Sequence, residues 1–434
     1  MTQTGTSDVT VIGGGIGGLA AATYLARAGH TVTVFERSHN LGGRAATQVR
    51  KGFHFNVGPH ALYRNGAGAT ILRELGVAFV GATPSASGGY AINGGKKHAL
   101  PGGFVSLLTT SLFGLTGKIE TARLLGSLLK VDADRARHLS VREWLDRNIR
   151  HPDVRRLVQA LFRVSTYAND PERQSAGASI LQLQMALGGN VLYLDRGWQT
   201  LVDGLRDVAV STGVQIVNGV RVAAVEHDEA VRGVRLADGT VHASQAVIVA
   251  ATPTDVATVL PDLSVARRWA TELVPVRAAC LDVALSRLPQ PHARFALGID
   301  RPLYLSVHSA VAQLAPAGAA TICVATYLSA EPNDAKADEH ELEQLLDLVQ
   351  PGWRDVVVER RFLPNMMVSG AVPTAAMGGT EGRPGPEVPE VDGLYIVGDW
   401  VGPTGQLADA TLASARRAAQ VITDSGLIRT VAAA

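Results

Sequence analysis

Residues 8–44, DVTVIGGGIGGLAAATYLARAGHTVTVFERSHNLGGR, restrict the fold more than any other stretch of this 434-residue chain. Val9, Val11 and Ile12 read as a short buried strand that runs straight into glycines. Gly13, Gly15 and Gly18 keep the G-x-G-x-x-G spacing, with Ile16 and Gly17 between them. In that spacing the first glycine makes a tight turn and the second admits a pyrophosphate to the backbone. The third lets the following helix pack closely on the strand. Leu19 to Ala28 is rich in helix formers, and Gly29 ends it. Thr31 to Phe35 predicts a second, β-branched strand that ends at Glu36 and Arg37. Glu36 stands 23 residues after Gly13, where an acid accepts hydrogen bonds from an adenosine ribose. A glycine-rich turn that binds nothing would account for the glycines alone. The ordered set of strand, turn, helix, strand and acid predicts an α/β, Rossmann-type domain for an unphosphorylated dinucleotide.

Leu41-Gly42-Gly43-Arg44 adds a second glycine pair and an arginine beside the same nucleotide. With it the chain resembles the flavoprotein superfamily of phytoene desaturases, flavin amine oxidases and protoporphyrinogen oxidases. The resemblance implies a glutathione-reductase-like FAD domain with Gly42, Gly43 and Arg44 on the pyrophosphate and flavin. It also implies a second, substrate domain made of a mixed sheet and a helical cap. The turn Gly58-Pro59-His60 matches one that lies near the flavin ring in those proteins, so His60 faces the flavin or the substrate. A histidine that merely fills the turn is the plainer alternative.

The closing segment from Gly393, GLYIVGDWVGPTGQLADATLASARRAAQVI, carries the second signature. An apolar strand feeds Gly398-Asp399, and a helix of small residues starts near Leu407, after Gln406. The resemblance puts Asp399 on the ribityl or pyrophosphate, and the backbone of Leu407 and Ala408 on flavin O2. A helix N-terminus there would stabilise the negative charge of a reduced flavin. Val222 matches the position whose backbone pairs with adenine. No cysteine lies between Gly402 and Gln406, so FAD is expected to be held non-covalently.

Domain organisation follows from these anchors. Residues 1–98, 195–265 and 386–434 are assigned to the FAD domain. Residues 99–194 form the helical cap and 266–385 the substrate-domain sheet. Within the last, Cys280 to Leu285, Leu303 to His308 and Thr321 to Leu328 read as strands, followed by a helix from about Asp338 to Val349. The length suits two intertwined domains with ample core. A net charge of +1 without a basic run excludes a nucleic-acid binder of the usual kind. Two cysteines cannot make a disulfide framework and suit a reducing cytoplasm. The polar start, MTQTGTSD, carries no secretion signal. No metal-ligand spacing occurs, the histidines after residue 290 being scattered singly. Nothing in the sequence addresses oligomeric state.

Ala99 to Gly117 holds 19 residues without a charge. Pro101 and four glycines argue against one continuous membrane-spanning helix. The stretch either lines an apolar substrate tunnel or dips into one leaflet as an interfacial anchor. In the second case, acidic replacements at Leu112 and Phe113 should release the protein from membranes.

Flavin in such a fold takes a hydride from C–C or C–N. Flavin amine oxidases usually place a lysine in the substrate sheet and an aromatic at the position of Leu407. After Lys130 this chain has a single lysine, Lys336, and position 407 is a leucine. The phytoene-desaturase-like branch therefore fits best, with a small apolar organic substrate and His60 as the catalytic candidate. Three other readings remain: a flavin amine oxidase, a non-redox isomerase or cyclase, and a prenyl-binding protein like the Rab GDP-dissociation inhibitors. The intact Gly13, Gly15, Gly18, Glu36 and Asp399 set speaks against the last.

Overall fold

A computed structural model of the chain describes residues 3–85 and 88–426. Strand β1 (Gln3–Ile12) is followed at Gly15 by helix α1 (Ile16–Arg27) and then by strand β2 (Val32–Glu36). β1 lies parallel to β2 on one side and to strand Val241–Val249 on the other. Parallel strands Gln215–Asn218 and Leu394–Ile396 extend this sheet, and antiparallel strands Val231–Leu236 and Val222–His227 complete it. The first, third and last assigned segments thus build one sheet. Val9, Val11, Val34 and Ile248 are fully buried in it, as expected of parallel strands covered on both faces.

The second sheet runs in the order 357–369, 276–285, 320–327, 303–306, 295–298, 90–93, 96–99. All neighbours are antiparallel except Phe295–Gly298 with Tyr90–Asn93. Helix Ala335–Val349 covers one face through Leu342, Leu345, Leu346 and Val349. Helices Val141–Asn148, Pro152–Thr166 and Ala176–Gly189 cover the other, with Phe162, Ile180 and Leu183 against Cys280, Ala325 and Tyr327. This is the expected sheet with a helical cap.

The expected boundary at residue 98 is corrected. Tyr90–Asn93 and Lys96–Ala99 form a hairpin, and the hairpin belongs to the second sheet. Gly94 and Gly95, with φ of 55° and 71°, make the two-residue turn that this hairpin requires. The cap is tied back to the first segment as well: Val191–Leu194 pairs with Leu62–Tyr63 and with Gly81–Ala82.

Ala99 to Gly117 is not one helix. It breaks into Phe104–Thr109 and the start of Leu115–Leu128, with Gly103 and Gly114 as the N-caps. Leu112 and Phe113 are buried, so the expectation that they meet a membrane is wrong. The exposed apolar side chains are instead Phe104, Val105, Leu108 and Leu115. Nor does the stretch line the large cleft described next. Among the described residues no helix is long and apolar enough to cross a membrane.

Candidate active site

A cleft of about 790 Å³ runs along the ends of β1, β2 and the strand Val241–Val249, reaching strand Val357–Ser369 of the second sheet. The glycine turn forms its middle. A Cβ on Gly18 would overlap the Gly13 carbonyl oxygen, so the third glycine is fixed by strand–helix packing. A Cβ on Gly15 would meet only the Gly42 carbonyl oxygen, at 3.9 Å. The second glycine therefore faces open cleft, which is what a pyrophosphate needs. Gly17 lines the cleft too, and packs on Thr411 and Val397 of the closing segment.

At one end stand Glu36, Arg37 and Val222. Glu36 is held at both oxygens: Oε2 accepts from the Gly14 N–H at 2.7 Å and Oε1 from the Ser38 N–H at 2.8 Å. Arg37 pairs with Asp255 at 3.2 Å on the surface, a contact worth little by itself. In the middle, Arg44 donates to Asp399 Oδ2 at 2.5 Å and to the Val368 carbonyl at 2.8 Å. Asp399 is 2% exposed, and its other oxygen accepts from the Gly370 N–H at 3.0 Å. One ion pair thereby joins the first segment, the last segment and the second sheet. Asp399 is buried while the Arg44 side chain is 38% exposed, so water tempers the cost of losing Arg44 relative to a fully buried pair.

At the far end the closing helix, Leu407–Asp424, begins at the cleft. Leu407 has φ of 56°, a left-handed conformation that a branched residue adopts only when its surroundings impose it. Leu407 and Ala408 line the cleft as expected. Ile16, Gly13, Gly42, Gly43, Gly398, Pro59 and His60 line it too.

Two expected residues do not. Gln406 turns away, and its Nε2 donates to the Ala178 carbonyl on the cap at 2.8 Å. Gly58, with φ of 76°, is packed against Met366 and Cys280 from the second sheet. It shapes the turn that delivers Pro59 and His60 without touching the cleft itself.

His60 is half-buried, and its ring packs edge-on against Trp198 at 4.9 Å. Its Nδ1 lies 3.1 Å from the Gly58 carbonyl oxygen. Burial lowers its pKa, aided by the charges of Arg44 and Arg361, while the Gly58 and Arg44 carbonyls act in the opposite sense. The turn is anchored from behind by Arg361, which donates to the Asn56 carbonyl and pairs with Asp282 at 2.6 Å.

Several cleft residues escape local sequence reasoning. Tyr63, Tyr167 and Trp198 line the far end with Met366 and Met367. Tyr167 sits at a left-handed helix end with φ of 61° and donates its hydroxyl to the Pro59 carbonyl at 3.2 Å. Asp409 lines the cleft one residue beyond the expected pair, and burial pushes its carboxyl up to about 6. No lysine lines the cleft among the described residues; Lys336 is exposed on the far helix Ala335–Val349.

These residues fit an FAD. The open face of Gly15 admits a pyrophosphate, the fixed oxygens of Glu36 stand where a ribose is held, and Arg44 supplies positive charge between them. The cleft then runs on to a helix N-terminus at Leu407.

Comparison with known proteins agrees. Residues 16–423 match the family of flavin-containing amine oxidoreductases, and the chain belongs to that family. It is an FAD-dependent oxidoreductase. A carotenoid 3,4-desaturase of Haloarcula japonica is 52% identical over 59 residues, which are 14% of this chain and 12% of that protein. A 4,4'-diapophytoene desaturase of Staphylococcus aureus is 49% identical over 51 residues, 12% of this chain and 10% of its own length. Each match thus spans about an eighth of the relative or less. Solved structures resemble the whole chain. An oxidoreductase from Methanosarcina mazei has a TM-score of 0.75 at 21% identity, covering 96% of this chain and 99% of its own. A putrescine oxidase bound to putrescine has a TM-score of 0.72 at 15% identity, with 96% and 99% covered. At such identities the likeness establishes the fold.

Proposed function

We propose that this oxidoreductase takes hydrogen from a small apolar organic molecule and leaves a C=C bond. The observation that carries the reading is the far end of the cleft, where Tyr167, Trp198, Met366, Met367 and Leu407 meet without a lysine. When bound, FAD supplies the acceptor for a hydride from carbon. The chain holds an apolar molecule by burial and dispersion and excludes water, so catalysis rests on alignment. Tyr167 is fixed for that purpose by its bond to Pro59. We assign the departing proton to His60, whose pKa desolvation lowers while the Gly58 and Arg44 carbonyls beside it favour an imidazolium. The short matches to a carotenoid desaturase and a diapophytoene desaturase support this reading, over 14% and 12% of this chain.

Amine oxidation is the second reading, favoured by the rings of Tyr63, Tyr167 and Trp198, which can face a cation. Leucine at 407 and the lack of a cleft lysine weigh against it. The absence of a cysteine lining the cleft among the described residues supports non-covalent FAD. Two buried free thiols, Cys280 and Cys323, support a cytoplasmic location, where we also place peripheral contact with a membrane. Product analysis separates the readings. A product lighter by two hydrogens with longer conjugation supports desaturation; an aldehyde with released ammonia overturns it.

A further inference from the structure

The cap carries an outward apolar face that the active site does not use. Phe104 is 77% exposed, Val105 72% and Leu108 56%, all on the helix Phe104–Thr109. On the adjoining helix, Leu115 is 74% exposed, Ile119 44% and Leu129, just past its end, 56%. Ala122 and Gly126 are exposed as well. Positions 115, 119, 122, 126 and 129 recur every three to four residues and so form one stripe along that helix. A surface helix ordinarily turns such a stripe inward; this one turns it to solvent.

Charge around the stripe is one-sided. Lys96, Lys97, Lys118, Arg123 and Lys130 surround it, and residues 96–130 hold one acid, Glu120. Glu120 is turned inward: its two oxygens accept from the Arg150 and His151 N–H groups, each at 2.8 Å. Lys118 donates to the Leu108 carbonyl, which bridges the two helices. What remains outside is an apolar face bordered by cations, and the acids at its margins are engaged elsewhere: Asp132 pairs with Arg135 at 3.1 Å, and Asp300 accepts from the Gly94 N–H at 2.7 Å.

We propose that this face docks the protein on an anionic phospholipid surface, the two helices lying in the plane of the interface. The proposal deepens the peripheral contact placed above and does not depend on which bond is oxidised. A second copy of the chain would set cations against cations across the same stripe, whereas anionic headgroups neutralise them. Neither helix is long enough to span, at 6 and 14 residues. None of the stripe residues lines the cleft, so flavin content offers an independent control.

Co-sedimentation of the flavin-loaded protein with vesicles tests this. Vesicles of phosphatidylcholine with about one third phosphatidylglycerol should bind at least tenfold more protein than phosphatidylcholine alone, and the excess should fall with salt. Leu115→Asp with Ile119→Asp should reduce binding at least tenfold while flavin content stays unchanged, since both side chains are already exposed. Lys118→Gln with Arg123→Gln and Lys130→Gln should remove the preference for anionic lipid. Wild-type protein that stays in the supernatant at every lipid concentration overturns the proposal, as does equal binding by the double Asp variant. So does a concentration-dependent dimer that the double Asp variant abolishes in the absence of any vesicle binding. Vesicle binding without flavin reduction by any apolar substrate would overturn the functional reading and leave the docking face standing.

Discussion

Asp409→Asn should change how the stability of this protein depends on pH. The carboxyl is 2% exposed; Oδ1 accepts from the Gly68 N–H at 2.7 Å and Oδ2 has no partner among the described residues. Gly66 and Gly68 make the room, because a Cβ on either would overlap the carboxylate. With little but burial acting on it, the pKa rises from 3.8 to about 6. A raised carboxyl pKa means that the folded state holds the proton more tightly than the unfolded state. The stabilisation is therefore fully present below the unfolded value and is lost as pH rises through about 6. A shift of about two units corresponds to ~3 kcal/mol at about 1.36 kcal/mol per unit. Asparagine keeps an oxygen for the Gly68 N–H and cannot ionise. In urea titrations of the flavin-loaded proteins, wild-type stability minus variant stability should fall by ~3 kcal/mol between about pH 4 and about pH 8. Taking the difference cancels every other titrating group. Parallel profiles, or a difference that grows with pH, would refute the reasoning.

Three further substitutions probe the cofactor site. Gly15→Val should yield folded protein without flavin, since the new side chain meets cleft and little protein; absorbance at the flavin band after purification reads this, and a fully flavinated variant would show the site misplaced. Gly18→Ala should instead fail at folding, because its Cβ would overlap the Gly13 carbonyl, and should give little soluble protein whatever the flavin supply. Arg44→Ala removes the partner of buried Asp399 and should lower stability by ~1–3 kcal/mol in denaturant titrations, less than for a fully buried pair because Arg44 itself is 38% exposed, with weaker flavin retention.

How much of this was legible beforehand follows from how local each signal is. The glycine turn, Glu36, Arg44 and the Gly398-Asp399 turn are read from short spacings because backbone geometry demands those residue types at those positions. The helix start at Leu407 followed for the same reason, whereas the first helix begins at Ile16 rather than Leu19, because Gly17 and Gly18 lie inside its first turn where close packing demands them. The direction of the Gln406 side chain is not legible, because at a helix N-cap it depends on what packs above it, here the Ala178 carbonyl on the cap. The burial of Leu112 and Phe113 is not legible either, because hydropathy counts apolar side chains without saying which face of a broken helix they occupy. The hairpin at 90–99 carries its own signal, Asn93-Gly94-Gly95, but its allegiance to the second sheet is set by pairing with Phe295–Gly298, two hundred residues away. Tyr167 and Trp198 reach the cleft through tertiary packing alone, and nothing in their neighbourhood in sequence marks them.

Anaerobic stopped-flow mixing of the flavin-loaded protein with substrate tests the central claim most directly. Rapid bleaching of the flavin band by an apolar polyene or alkene is expected, with slow or no bleaching by simple primary amines, because Leu407 offers bulk without a ring face to orient nitrogen. Rapid bleaching by amines with none by apolar alkenes would contradict it.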